Sequence, residues 1–188
     1  MQDAIRNEIQ GSIAAKQEVL AKLVPDIEKT ARIIINALKN SNKILICGNG
    51  GSAADAQHFA GELIVRFETE RRSLPAIALT TDTSILTAGA NDYGYDEIFA
   101  RQVNGLGNKG DVLVAISTSG NSPNILKAIE AAKTKGMEII GLTGKDGGKM
   151  KALPNSIIIP SNTTARIQES HIMIIHTWCK LVDAAFAK

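Results

Sequence analysis

The chain of 188 residues is 44% hydrophobic and nearly neutral, with 21 Lys+Arg against 19 Asp+Glu. Those figures fit one compact domain with its own core, and the lack of a basic excess speaks against a dedicated nucleic-acid binder. No stretch approaches the roughly 18–20 apolar residues of a membrane span, the charged start MQDAIRNEIQ has no apolar signal core, and Cys47 and Cys179 make no disulfide framework, so a cytoplasmic home is expected.

In chain order, residues 1–40 carry helical patterning that Pro25 breaks into two helices. Short apolar runs follow at Lys43–Cys47, Leu74–Thr80, Asp111–Ser117 and Met137–Thr143, with a weaker one at Ser156–Pro160. Each is nearly continuous in apolar character, which predicts strands buried on both faces, as in a parallel sheet. Helical patterns lie between them at Ser52–Glu70, Asp96–Leu106 and Ser122–Lys135, and Ala165–Ala185 reads as one long helix without Gly or Pro. Strand alternating with helix predicts βαβ units in a doubly wound α/β sandwich. The terminal helices either serve self-association or only cover the sheet; pattern alone weighs these equally.

In such a sheet, ligands collect outside the carboxyl ends of the strands. After the first strand comes Gly48-Asn49-Gly50-Gly51-Ser52, a tight turn opening a helix whose free N–H groups suit an anion. After the third comes Ser117-Thr118-Ser119-Gly120-Asn121-Ser122, where four hydroxyls join the helix amides. That cluster suits a phosphate monoester, although Ser122 also fits a plain helix cap. Thr143–Gly148 forms a third turn on the same edge, readable as a surface turn alone. Gly48-x-Gly50-x-x-Ala53 matches a dinucleotide fingerprint only formally, because the acid required at the end of the next strand is missing at its spacing. No P-loop motif occurs.

The three histidines are His58, His171 and His176. His58 and Glu62 are four residues apart, so ~40° apart on one helix face, where they can grip a divalent ion or set an imidazole beside a carboxylate. A surface His–Glu pair of little consequence has the same spacing. On the last helix, Gln168 and His176 stand ~80° apart and two turns along, so both can border one site, whereas His171 is ~140° from His176 and reads either as structural or as a support behind the site residues. Asn91-Asp92-Tyr93-Gly94-Tyr95 reads as a turn, placed to touch a polar ligand such as a sugar.

Taken together, CGNGGSAADAQHFAGEL, ANDYGYDEIF, ISTSGNS, LTGKDGG and ARIQESHIMIIH resemble the bacterial phosphoheptose isomerases of the sugar-isomerase (SIS) fold family, in order and nearly end to end. The resemblance implies a three-layer, flavodoxin-like α/β/α sandwich with a five-stranded parallel sheet, extra N-terminal helices and a long C-terminal helix. It implies one SIS domain over residues 1–188, with 1–40 used in oligomerisation and 41–188 forming the core, assembled as a homotetramer with sites near subunit interfaces. The implied reaction converts D-sedoheptulose 7-phosphate into D-glycero-D-manno-heptose 7-phosphate through an enediol(ate), toward the ADP-heptose of lipopolysaccharide cores. The resemblance further implies one zinc per subunit on His58, Glu62, Gln168 and His176, with Glu62 and His176 as acid/base pair. Substrate contacts map onto Asn49, Gly50, Gly51, Glu62, Asn91, Asp92, Ser117, Thr118, Ser119, Ser122 and Gln168. Ala165 departs from the acid that some isomerases carry before Arg-Ile-Gln. Arg66–Asp82 also resembles a non-catalytic relative that binds the bacterial replication initiator, and an isomerase of another phosphosugar is a further reading; retention of Glu62 and His176 favours the phosphoheptose enzyme.

Overall fold

A computed structural model describes residues 1–187. Two helices, α1 (Gln2–Lys22) and α2 (Val24–Lys39), precede the first strand, β1 (Ile44–Gly48). Then come α3 (Gly51–Ile64), β2 (Ala76–Ala78), α4 (Thr83–Tyr93), a 3-10 turn (Tyr95–Glu97), α5 (Ile98–Leu106), β3 (Val112–Ile116), α6 (Pro123–Thr134), β4 (Glu138–Gly144), a second 3-10 turn (Gly148–Ala152), β5 (Ser156–Ile159) and α7 (Thr164–Phe186). The five strands are all parallel, in the order β2-β1-β3-β4-β5. This is the flavodoxin-like order, and its switch point lies between β1 and β3.

Alternation along the strands splits the core in two. Ile44, Ile46, Val112, Val114 and Ile116 face one side and pack with α2, α3 and α7; Leu45, Cys47, Leu113 and Ala115 face the other and pack with α5 and α6. The strands are buried on both faces, as their continuous apolar runs predict. Both cysteines are free and buried, and burial pushes each thiol up to about 12.

Three expectations need correction. The helix expected over Ser52–Glu70 stops at Ile64, because the buried Arg71 guanidinium takes the carbonyls of Glu62 and Leu63 that would accept the next turn. The expected second strand shrinks to three residues at the sheet edge. Finally, Asn91 and Asp92 lie in the last turn of α4, not in a free turn; Gly94, at φ 89°, ends the helix. Helix α4 has no fully buried residue; its apolar stripe is only Leu86 and Ala90, partly buried against the core, and its clearest local signal is Asp82, whose carboxylate accepts from the Ile85 N–H at 2.9 Å.

Helix α7 is tied to the sheet at several depths. Trp178 donates to Thr30 Oγ1 at 3.2 Å, joining α7 to α2. Ile167 packs where a Cβ on Gly144 would have to sit. His171, fully buried, reaches the Thr143 carbonyl through Nε2 at 3.1 Å. With Nε2 as the donor, Nδ1 stays unprotonated, and burial lowers the ring's pKa from 6.5 to about 4.

That shift has a signed consequence. Below pH ~6.5 the unfolded chain protonates His171, while the folded chain keeps it neutral down to about pH 4. Stability from this group is complete above the unfolded pKa and falls by about 3 kcal/mol as the pH drops to about 4. In urea titrations across that window, His171→Gln is expected to show a shallower loss than wild type. Equal slopes would show that His171 does not carry the acid sensitivity.

Candidate functional site

The site forms where the loops after β1 and β3 face each other across the switch point. Asn49 and Asn124, the latter buried, exchange two side-chain hydrogen bonds, each 2.9 Å. Asn124 Oδ1 also accepts from the Ile125 N–H at 3.0 Å, and the Tyr95 hydroxyl reaches Asn49 Oδ1 at 3.4 Å. The amide pair is thus a rivet between the two walls of the crevice.

On the β3 side, Ser117 Oγ lies 3.0 Å from Ser122 Oγ and 3.5 Å from Ser119 Oγ. Ser122 is the N-cap residue of α6, yet its hydroxyl makes no capping bond and turns to Ser117 instead. The capping reading of that serine therefore fails, and three hydroxyls converge in front of a helix N-terminus, an arrangement that suits an anion. Thr118 is half-buried beside them. The turn at Thr143–Gly148 leads into the second 3-10 turn, whose Lys149 N–H donates to Asn121 Oδ1 at 3.1 Å and Met150 N–H to the Gly120 carbonyl at 3.2 Å, bracing the serine loop.

On the β1 side, Gly50 takes φ 56°, and Gly51 opens α3 directly against the amide of Gln168, where a Cβ would collide with Nε2. Two turns into α3, His58 Nε2 lies 3.0 Å from Glu62 Oε1. From α7, His176 brings its Nε2 to 3.4 Å from His58 Nε2. Phe67 stacks on the His176 ring, with centroids 5.4 Å apart and planes 27° apart. Asn91 and Asp92 are exposed and hydrogen-bonded to each other at 2.8 Å; their link to the site runs through Tyr95, which follows in the chain and meets Asn49.

His58, Glu62 and His176 offer ligand atoms within 4.8 Å of one another. His58 Nε2 faces both a carboxylate oxygen and a second ring nitrogen, and its single proton can serve only one of them. A cation placed among the three would satisfy all of them, and a nitrogen–oxygen–nitrogen set suits zinc. Gln168 is held on the Gly51 turn at the opening of α3.

Several site residues escaped the sequence reading. Asn124 sits two residues after Ser122 with nothing in the sequence to mark its partner. Asp55 is three residues before His58; burial pushes its carboxyl up to about 6 against the pull of His58, and its Oδ2 has no partner. Phe67 reads only as one apolar residue in a charged segment.

A model of the SIS domain matches residues 9–144. The phosphoheptose isomerase of Aliarcobacter butzleri is 58% identical over 174 residues, covering 90% of this chain and 92% of that protein. Among solved structures, the phosphoheptose isomerase of Neisseria gonorrhoeae superposes with a TM-score of 0.91 at 48% identity, and that of Francisella tularensis with 0.94 at 43%; each comparison covers 97% of this chain and 98% of the other. By sequence and by structure, the chain belongs to the SIS-domain family and, within it, to the phosphoheptose isomerases.

Proposed function

We propose that the protein isomerises D-sedoheptulose 7-phosphate to D-glycero-D-manno-heptose 7-phosphate, at the start of heptose supply for lipopolysaccharide-type glycans, using the residues gathered at the switch point. The observation that carries this reading is the pairing of a hydroxyl-lined anion loop with an acid/base cluster, His58–Glu62–His176, on the same sheet edge. The substrate has that polarity: a phosphate at one end and the reacting carbons at the other.

The phosphate docks on Ser117, Thr118, Ser119 and Ser122 and on the first amides of α6. Asn49, Gly50 and Gly51, with Asn91 and Asp92, hold the sugar hydroxyls. Glu62 removes a proton from C1 of the ketose, and the electron pair moves to make the C1–C2 enediolate as the C2 oxygen gains negative charge. His176 carries a proton to that oxygen and takes one from the C1 hydroxyl. Glu62 then returns its proton to C2, which leaves an aldehyde at C1. No oxidant or reductant is needed. Glu62 engages His58 through Oε1, so Oε2 is free for the proton on carbon.

In this reading His58, Glu62, Gln168 and His176 would hold one zinc per subunit, which would supply Lewis-acid stabilisation of the oxyanion. The three donors that approach one another support the site, and Gln168 would be the fourth ligand.

The same reading gives residues 1–188 as one SIS domain, with 1–40 serving assembly into a homotetramer. Its support is an exposed apolar stripe on α1: Ile5, Ile9 and Ile13, one turn apart, are each more than half exposed. Beside it runs a groove of about 410 Å³ between α1, α2 and α7, lined by Val19, Leu20, Val24, Ile27, Met173 and Leu181. Among the described residues no helix is long and apolar enough to cross a membrane. In this reading the reaction runs in the cytoplasm.

The roles separate in kinetics. Glu62→Gln is expected to lower kcat by about 10²–10⁴-fold with assembly intact, whereas Ser119→Ala raises KM and leaves kcat close to wild type, because it weakens the phosphate handle. Near-normal turnover by Glu62→Gln would remove Glu62 as the base. For the assembly, Ile9→Glu is expected to shift the protein to smaller species in sedimentation experiments; an unchanged mass would exclude the α1 stripe as an interface.

A further inference from the structure

We infer that the buried ion pair Arg71–Asp183 is a positioning latch for the isomerase site, fixing the Glu62 end of α3 and the Phe67 ring against α7 and His176. The inference rests on the isomerase reading given above.

Arg71 belongs to the segment RFETERR, which has no regular secondary structure after α3 ends. Charged loops of this kind are ordinarily solvated. Yet the Arg71 side chain is wholly buried, and Asp183 of α7 is nearly so. Arg71 Nε donates to Asp183 Oδ1 at 2.7 Å. Its Nη2 donates to the Glu62 carbonyl at 2.7 Å, and Nη1 to the carbonyls of Leu63 at 2.9 Å and Arg72 at 3.0 Å. The second Asp183 oxygen accepts the N–H groups of Glu68 and Thr69, both at 2.8 Å. Burial alone would raise the Asp183 carboxyl; the Thr69 and Glu68 amides and the Arg71 guanidinium outweigh it and hold it below the usual carboxylate range.

A buried pair of this kind gives little net stability over an apolar packing of equal volume, because two charges lose their water. What it does give is geometry, since the planar guanidinium fork fixes several acceptors at once. Two of the acceptors belong to the last turn of α3, and one is the carbonyl of Glu62 itself. The third grip, through Asp183 and the amides of Glu68 and Thr69, holds the stretch between Phe67 and Arg71 against α7. Asp183 is seven residues beyond His176, so the two lie on nearly the same face of α7, about 10 Å apart along its axis. The loop pinned at Asp183 therefore runs back beside His176, where Phe67 stacks on the imidazole. One latch thus sets the base from the α3 side and the ring of its partner from the α7 side. Misplacement of reacting groups by about 1 Å can cost about 10²-fold in rate.

The test uses the full chain and two variants. Arg71→Lys keeps the charge but replaces the fork with a single ammonium; Phe67→Leu removes the stacked ring at a half-buried position and leaves the ion pair alone. Five quantities are read: kcat and KM with sedoheptulose 7-phosphate, the affinity for cobalt(II) from its visible spectrum, the inhibition constant of inorganic phosphate, and the thermal midpoint. Arg71→Lys is expected to lose about 10–100-fold in both kcat and cobalt affinity. Phe67→Leu loses about tenfold in kcat with an unchanged midpoint. Phosphate inhibition stays within about twofold of wild type in both variants, because the serine loop is braced separately. A folded Arg71→Lys protein with wild-type kcat and cobalt affinity would reduce the pair to a stability element. If Arg71→Lys does not fold, Phe67→Leu with wild-type kcat overturns the latch by itself. Absence of turnover in the wild-type protein is a different failure, that of the isomerase reading, and cobalt affinity still reports the latch in that case.

Discussion

Helix α7 can contribute to the site only by lying hard against the carboxyl edge of the sheet. Gly144 at the end of β4 leaves the space that Ile167 fills, and Gly51 at the start of α3 leaves the space for the Gln168 amide. Any larger residue at Gly144 would push a buried isoleucine out of place and lift the helix. The Nε2 contact of His171 with the Thr143 carbonyl fixes the same turn of α7 from inside. With that end set, the helix delivers His176 to His58 and Glu62, and further along it delivers Asp183 to Arg71. The site follows from where one long helix is allowed to lie.

The crevice separates recognition from chemistry. On the β3 side are uncharged hydroxyls and helix amides, an arrangement that suits an anion and brings no acid or base near it. On the α3 side are two imidazoles and a carboxylate close enough to exchange protons or share a cation. The Asn49–Asn124 amide pair fixes the distance between these halves. Both partners are neutral, so the rivet makes directional bonds inside the fold without the desolvation cost of a salt bridge.

Much of this was legible in the chain. Continuous apolar strands, glycine and serine loops at their ends and the long uninterrupted last helix predicted the parallel sheet and the edge that carries the site. The four-residue spacing of His58 and Glu62 placed them on one helical face, as observed. What escaped depends on partners distant in sequence. Asn124 matters only because β1 and β3 are neighbours, and no local pattern reports that. Helix α4 has no fully buried residue and sets only Leu86 and Ala90 part-way against the core, too little of an apolar period by which to find a helix. The end of α3 was misplaced because it is decided by Arg71, a residue whose charge reads as exposed until Asp183, far along the chain, is brought to it. Ser122 fitted by position both a helix cap and the hydroxyl cluster, and the direction of its hydroxyl, toward Ser117, decides against the cap.

The most direct measurement follows sedoheptulose 7-phosphate and the product aldoheptose 7-phosphate with purified protein, before and after chelation and again after zinc is added back. Turnover that disappears on chelation and returns with zinc is the predicted result. Turnover untouched by complete metal removal would contradict the role given to zinc, and no turnover by folded, zinc-loaded protein would contradict the isomerase assignment itself.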